Sequence, residues 1–375
     1  MLAKVSMTRL LPIILRAYPN NLKSALFSAQ NGVFRIGTKA LEINPKYAWV
    51  YLTRGVTYKN KGQYDQAIAD YTKALEINPG LAAAYYSRGR VYDDKGQYDQ
   101  AISDYTKALE INPRWAGAYV DRGATYGNKG QYNLAIADST KAIEINPGLA
   151  KAYVVRGAAY VDTGQYDQAI ADCNRALEIN PGLANAYTNR GLAYVRGKGL
   201  YDLAIADYTK ALEINSRLAE TYHNRGIAYD ETGLYDQAIA DYTKALEINP
   251  GDADTYNNRG NSYYHTGLYD QAIADYTKAL EINPGHARAY YGRGFAYKNK
   301  GLYDQAISDY NKVLEINPRY VEAYLNKAAA CEAAGRAREA IEAYNGFIQY
   351  APPQNTPDIK HARQRIRLLK REVER

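Results

Sequence analysis

The stretch at residues 64–79, YDQAIADYTKALEINP, recurs nearly letter for letter at residues 98–113, 166–181, 235–250, 269–284 and 303–318. Copies lie 34 residues or a multiple of 34 apart, save for one added residue between the copies at 166 and 235. A period of this size constrains the chain to stacked supersecondary units, because one such unit cannot bury its apolar face without neighbours.

Full repeats start at Ala48, Ala82, Ala116, Ala150, Ala184, Ala219, Ala253 and Ala287, with a degenerate ninth at Val321. Each predicts two helices. In the first repeat Ala48, Tyr51, Leu52, Gly55 and Tyr58 share a helical face, and Gly62 then supplies a residue that tolerates positive φ. Asp65 opens a second helix with favourable dipole sign, Ala67, Ile68, Tyr71, Ala74 and Leu75 continue the stripe, and Pro79 stops it. Of 39 tyrosines, most occupy fixed positions of this pattern and read as packing residues. Where the fourth such position lacks Tyr it holds Ser139 or Cys173, so Cys173 is expected to be a core thiol.

The small, large and aromatic residues at Gly55, Tyr58, Ala67, Tyr71, Ala74 and Pro79 closely resemble the tetratricopeptide repeat family, over residues 38 to about 352. The resemblance implies an all-α, α-α superhelix: a right-handed solenoid of about nine antiparallel helix pairs whose first helices line a concave face. One departure stands out. Where the family places a large apolar residue before the first-helix glycine, this chain has Arg54, Arg88, Arg122, Arg156, Arg190, Arg225, Arg259 and Arg293. Asp70, Asp104, Asp138, Asp172, Asp207, Asp241, Asp275 and Asp309 recur on the second helices, which predicts one Arg–Asp pair per repeat.

Three regions follow: a degenerate segment at 1–37, the array at 38–354 and an amphipathic capping helix at 355–375. The first is a degenerate half-repeat with a loose tail, a targeting sequence or a binding arm. Ile359, Ala362, Ile366, Leu369 and Val373 form the apolar stripe of the last, as an end cap requires; a basic amphipathic helix on a membrane surface is the alternative. In repeat five, residues 195–199 are one residue longer than their counterparts and Ser216 replaces the helix-stopping proline, which reads as a tolerated loop insertion or a hinge. The formal net charge of +7 belongs to the two ends: residues 1–41 hold six bases and no acid, and the array between the ends is net negative. That weakens the case for a nucleic-acid groove. The two cysteines, Cys173 and Cys331, lie too far apart in a stack to pair, and no run near the start reads as a membrane span. Both points favour the cytoplasm.

No catalytic, cofactor or metal site is readable. The four histidines lack metal-ligand spacing, and no phosphate-binding glycine loop follows a strand. Function then falls to positions where the repeats disagree. By the resemblance these lie on the first helices: Asn185, Asn189, His223, Asn224, Asn257, Asn258 and Asn261 in repeats five to seven, with Tyr86, Arg90, Tyr291 and Lys298 as flanking anchors. Side-chain amides both donate and accept, so an asparagine row can hold a peptide backbone; the plainer reading is polar filler on an exposed helix. The expectation is a non-enzymatic interaction scaffold for an extended peptide or partner helix, without cofactor or metal. Nucleic-acid binding through the basic ends and self-assembly of near-identical units are the alternatives.

Overall fold

A computed structural model describes residues 46–352 and 356–374. The described residues are all helix, turn and bend, and contacts divide the chain into two blocks at Pro181/Gly182. The expected half-repeat and leader before residue 46 lie outside the described residues.

The first block contains α1 (Ala48–Asn60), α2 (Tyr64–Ile77), α3 (Ala82–Asp94), α4 (Tyr98–Ile111), α5 (Ala116–Asn128), α6 (Tyr132–Ile145), α7 (Ala150–Asp162) and α8 (Tyr166–Ile179). The second contains α9 (Ala184–Lys198), α10 (Tyr201–Ile214), α11 (Ala219–Glu231), α12 (Tyr235–Ile248), α13 (Ala253–His265) and α14 (Tyr269–Ile282). It continues through α15 (Ala287–Asn299), α16 (Tyr303–Ile316), α17 (Val321–Ala333), α18 (Ala337–Tyr350) and α19 (Thr356–Val373). Odd-numbered helices from α1 to α17 are the first, or A, helices of the repeats, even-numbered ones are the B helices, and α19 follows the last pair. Within each block every helix packs on the next in sequence, as a solenoid of helix pairs requires.

Short local signals set the joints. Gly62, at φ +72°, ends α1, and the amide of Gln63 donates back to the Tyr58 carbonyl at 2.9 Å, so a left-handed residue closes the helix. At the other joint Asn78 Oδ1 accepts from the Gly80 amide at 3.0 Å, turning the chain into α3. The added residue of repeat five enters the helix and not the turn: α9 runs to Lys198, 15 residues against 13 in its neighbours, and ends on Gly199 at φ +62°. This corrects the expectation of a loop insertion. Extending a helix keeps each new backbone amide bonded, whereas a longer turn leaves its amides to solvent.

The recurring contact inside a pair is glycine against tyrosine. A Cβ placed on Gly226 would lie 2.6 Å from Tyr242 Cε1, so the bare backbone of α11 is what admits the ring from α12. In repeat four the ring is replaced by buried Cys173, packed against Gly157.

The predicted Arg–Asp pair forms in each of the eight full repeats. Arg88 forks onto Asp104, Nε to Oδ2 at 2.7 Å and Nη2 to Oδ1 at 2.8 Å, with the Tyr85 and Tyr92 rings 5.8 and 5.9 Å from its guanidinium carbon. Its remaining nitrogen, Nη1, crosses to the preceding repeat and donates to Thr72 Oγ1 at 2.9 Å. The same crossing joins Arg122 to Thr106, Arg156 to Thr140, Arg225 to Thr209, Arg259 to Thr243 and Arg293 to Thr277. Arginine suits the position because its planar fork serves a carboxylate, two ring faces and a neighbouring hydroxyl at once.

Candidate interaction face

The predicted site residues lie on A helices of both blocks. In the first block Tyr86 is half-buried and donates to Asp121 Oδ2 at 2.6 Å, while its ring packs on Trp115 with centroids 4.4 Å apart. Exposed Arg90 stands over the Tyr86 ring, and Lys151 Nζ bonds Asp121 Oδ1 at 2.7 Å. Asp121 thus ties Tyr86 and Lys151 together, with one donor on each carboxylate oxygen.

The remaining candidates share the second block. Asn185 and Asn261 are exposed, Asn189, His223, Asn224 and Asn258 half-buried, and Asn257 only 4% exposed. The last value departs from a free polar row: Asn257 is held inside, because position five of each A helix turns toward the next A helix, as neighbouring His223 does. His223 Nδ1 lies 2.5 Å from Thr255 Oγ1, and its ring edge meets Tyr242. Burial lowers the His223 pKa against the opposing pull of Asp252, Asp254 and Glu220, so the ring is neutral near neutral pH. Asn257 Nδ2 donates to Asn258 Oδ1 at 3.2 Å, and Asn261 Oδ1 accepts from Tyr276 Oη at 2.7 Å. Two amide atoms on adjacent A helices, Asn224 Nδ2 and Asn257 Oδ1, are buried and find no partner in the chain.

The far end of the row is a linked set. Lys298 Nζ sits 4.3 Å above the Phe295 ring and donates to Asn326 Oδ1 at 2.6 Å, and Asn326 Nδ2 donates to Tyr291 Oη at 2.9 Å. Burial lowers the Lys298 pKa and pushes that of Tyr291 up to about 12. Tyr264, Phe295, Tyr291 and Tyr320 continue as ring contacts of 5.2, 6.2 and 5.0 Å. Asn326 was not among the predicted residues, although it continues the row of Asn224 and Asn258 at twice the repeat period. The degenerate consensus of repeat nine hid it. Asp230, also unpredicted, lies one and two periods before Tyr264 and Lys298.

Models of the tetratricopeptide repeat match residues 48–81, 82–114, 150–183, 219–252, 253–286 and 287–320, with further repeat models at 116–149, 195–233 and 309–342. The chain belongs to the tetratricopeptide repeat family. Its fold is likewise that of a tetratricopeptide repeat protein from Parabacteroides merdae ATCC 43184, at 20% identity and TM-score 0.53, covering 66% of this chain and 98% of the other. YrrB, described as a TPR protein with an unusual peptide-binding site, is 28% identical over 50% of this chain and 96% of its own, with TM-score 0.42. MamA is 29% identical over 42% of this chain and 92% of its own, with TM-score 0.41. No curated protein sequence matches the chain. Membership supports a protein-interaction scaffold, and the family is generally non-enzymatic. Among the described residues no three His, Cys, Asp or Glu side chains converge as a metal site, and no helix is long and apolar enough to cross a membrane.

Proposed function

We propose that the protein is a non-enzymatic scaffold that binds an extended peptide or partner helix along the A-helix face of its second block. The observation that carries this reading is the pair of buried orphan amide atoms, a donor on Asn224 and an acceptor on Asn257, at neighbouring positions of adjacent A helices. Leaving such groups unpaired costs about 1–3 kcal/mol each. A peptide backbone presents a carbonyl and an amide to complement them, after a rotation of the two side chains. The half-buried Asn258 and Asn189 extend the same chemistry, and the Tyr264, Phe295 and Tyr291 rings supply apolar anchorage, which an amide row alone lacks.

The test is selection from a random peptide library on the full chain, followed by affinity measurement with the best peptide. Asn224→Ala and Asn257→Ala together should weaken binding at least about tenfold, since two backbone hydrogen bonds are lost. Undiminished affinity in this variant, with the helical signal intact, rules the reading out.

A further inference from the structure

Two carboxylates of the second block occupy the same position of their repeats and differ in one respect. Glu332, near the end of α17, accepts from Tyr344 Oη on α18 at 2.6 Å and is paired with the Arg365 guanidinium on α19. Asp230, at the same position of α11, accepts from Tyr242 Oη on α12 at 2.7 Å and from Ser262 Oγ on α13 at 2.7 Å. The tyrosine comes in both cases from the B helix of the same repeat, and the third group from the helix that follows it, α13 for Asp230 and the capping helix α19 for Glu332. Where Glu332 meets a guanidinium, Asp230 meets a hydroxyl.

The consequences are opposite. Burial raises the Glu332 pKa, but the bonds from Arg365 and Tyr344 outweigh it and the net shift is downward. Burial likewise raises the Asp230 pKa, and there the Ser262 and Tyr242 hydroxyls and the more distant His265 recover too little. His265 itself stacks on Tyr235, ring centroids 4.9 Å apart, and Glu231 adds a like charge. Asp230 is thus a desolvated carboxylate, fixed by two donors, with no Arg or Lys paired to it among the described residues. Two periods along the row stands its converse: Lys298, half-buried over Phe295, is paired with an amide oxygen and not with a carboxylate. Tyr264 lies between them in register.

Resting on the peptide-binding reading above, we propose that the bound segment is one of mixed charge: Asp230 receives an arginine or lysine side chain of the partner, and Lys298 receives an acidic group further along. Arg365 on Glu332 is the chain's own copy of the first contact. A basic group at Asp230 gains a charge-assisted bond to a carboxylate already stripped of much of its water, and needs no reorganisation of Tyr242 or Ser262. Binding and charge order are then coupled, since a segment that runs the wrong way sets like charges together at both ends.

Random dodecapeptides displayed on phage, selected in parallel on full-length wild type, Asp230→Asn and Lys298→Met, test this. Wild type should enrich Arg or Lys at one position several-fold over the unselected library, with Asp or Glu at a fixed distance. Asp230→Asn should still capture peptides but lose the basic preference, Lys298→Met should lose the acidic one, and Glu231→Gln should lose neither. For a selected peptide, Asp230→Asn should weaken binding about tenfold, equivalent to about 1.4 kcal/mol, and Asp230→Glu should restore most of it. Replacing the peptide's arginine by citrulline should weaken binding to wild type by the same factor, a measurement that does not depend on how any variant folds. Capture without a basic preference, or equal affinity for the citrulline peptide, overturns the charge assignment alone. Failure of wild type to enrich any peptide overturns the peptide-binding reading and this inference with it.

Discussion

At the residue scale, the repeat's own arginine illustrates how a charged side chain becomes a packing element. Arg156 and Asp172 are 18% and 9% exposed, so the pair is neither a free surface bridge nor fully dry. A double-mutant cycle on the two should return a coupling of about 1–3 kcal/mol by urea unfolding, above the near-zero value of exposed pairs; a null coupling would show the fork to be incidental. Gly226→Ala should cost about 2–3 kcal/mol, because its Cβ would sit 2.6 Å from the Tyr242 ring and the ring has nowhere to go. Gly123→Ala, whose Cβ would approach the Ala135 carbonyl at 3.3 Å, should cost distinctly less. Lys298 gives a pH test. Its folded pKa lies below the ordinary 10.5, so it favours folding only above about pH 10.5 and that contribution is lost as pH falls through the folded value. Lys298→Met should therefore raise the unfolding midpoint at pH 7 and give no gain at high pH. A midpoint that drops at pH 7 would mean the ammonium is stabilising where it stands.

At the element scale, helix positions followed directly from the spacing of glycine, proline and the apolar stripe, and each A and B helix stands where that spacing puts it. The site was less legible. Asn261 and Asn257 looked alike in sequence, yet one is exposed and the other is buried, a difference that the four-residue spacing on one helix face does not reveal. Asn326 escaped because its repeat had lost the flanking signature, and Asp230 because its meaning lies in the Tyr242 and Ser262 hydroxyls, which come from two other helices. Helix α19 covers Phe347 and Tyr344 with Ala362 and Leu369 and ties down through Arg365. A chain ending at residue 352 should lose amide-exchange protection first in α17 and α18, with exchange there at least about tenfold faster; unchanged rates would make α19 dispensable.

At the scale of the whole molecule, stability in such an array is a sum of repeat terms and nearest-neighbour terms. The second block carries its own end cap, so residues 182–375 alone should unfold cooperatively and keep the affinity of the full chain for a selected peptide within about twofold. A fragment that binds markedly more weakly would place part of the site in the first block, where Tyr86, Arg90 and Asp121 form the other organised corner. The separation of charge also makes a prediction. The net positive charge lies at the ends and the array between is net negative, so peptide affinity should change only modestly with salt, whereas binding of nucleic acid through the ends would fall steeply.

The crossing from arginine to the preceding repeat's threonine has a genealogical consequence. Repeats two, three, six and seven each carry the arginine for the junction before them and the threonine for the junction after them, whereas Asn174 and Asn311 stand in the threonine position of repeats four and eight. Cutting the gene at one such boundary and rejoining it at another recreates the same pair. An array built this way can lengthen or shorten by unequal crossing-over without inventing a new interface, while its A-helix positions remain free to diverge.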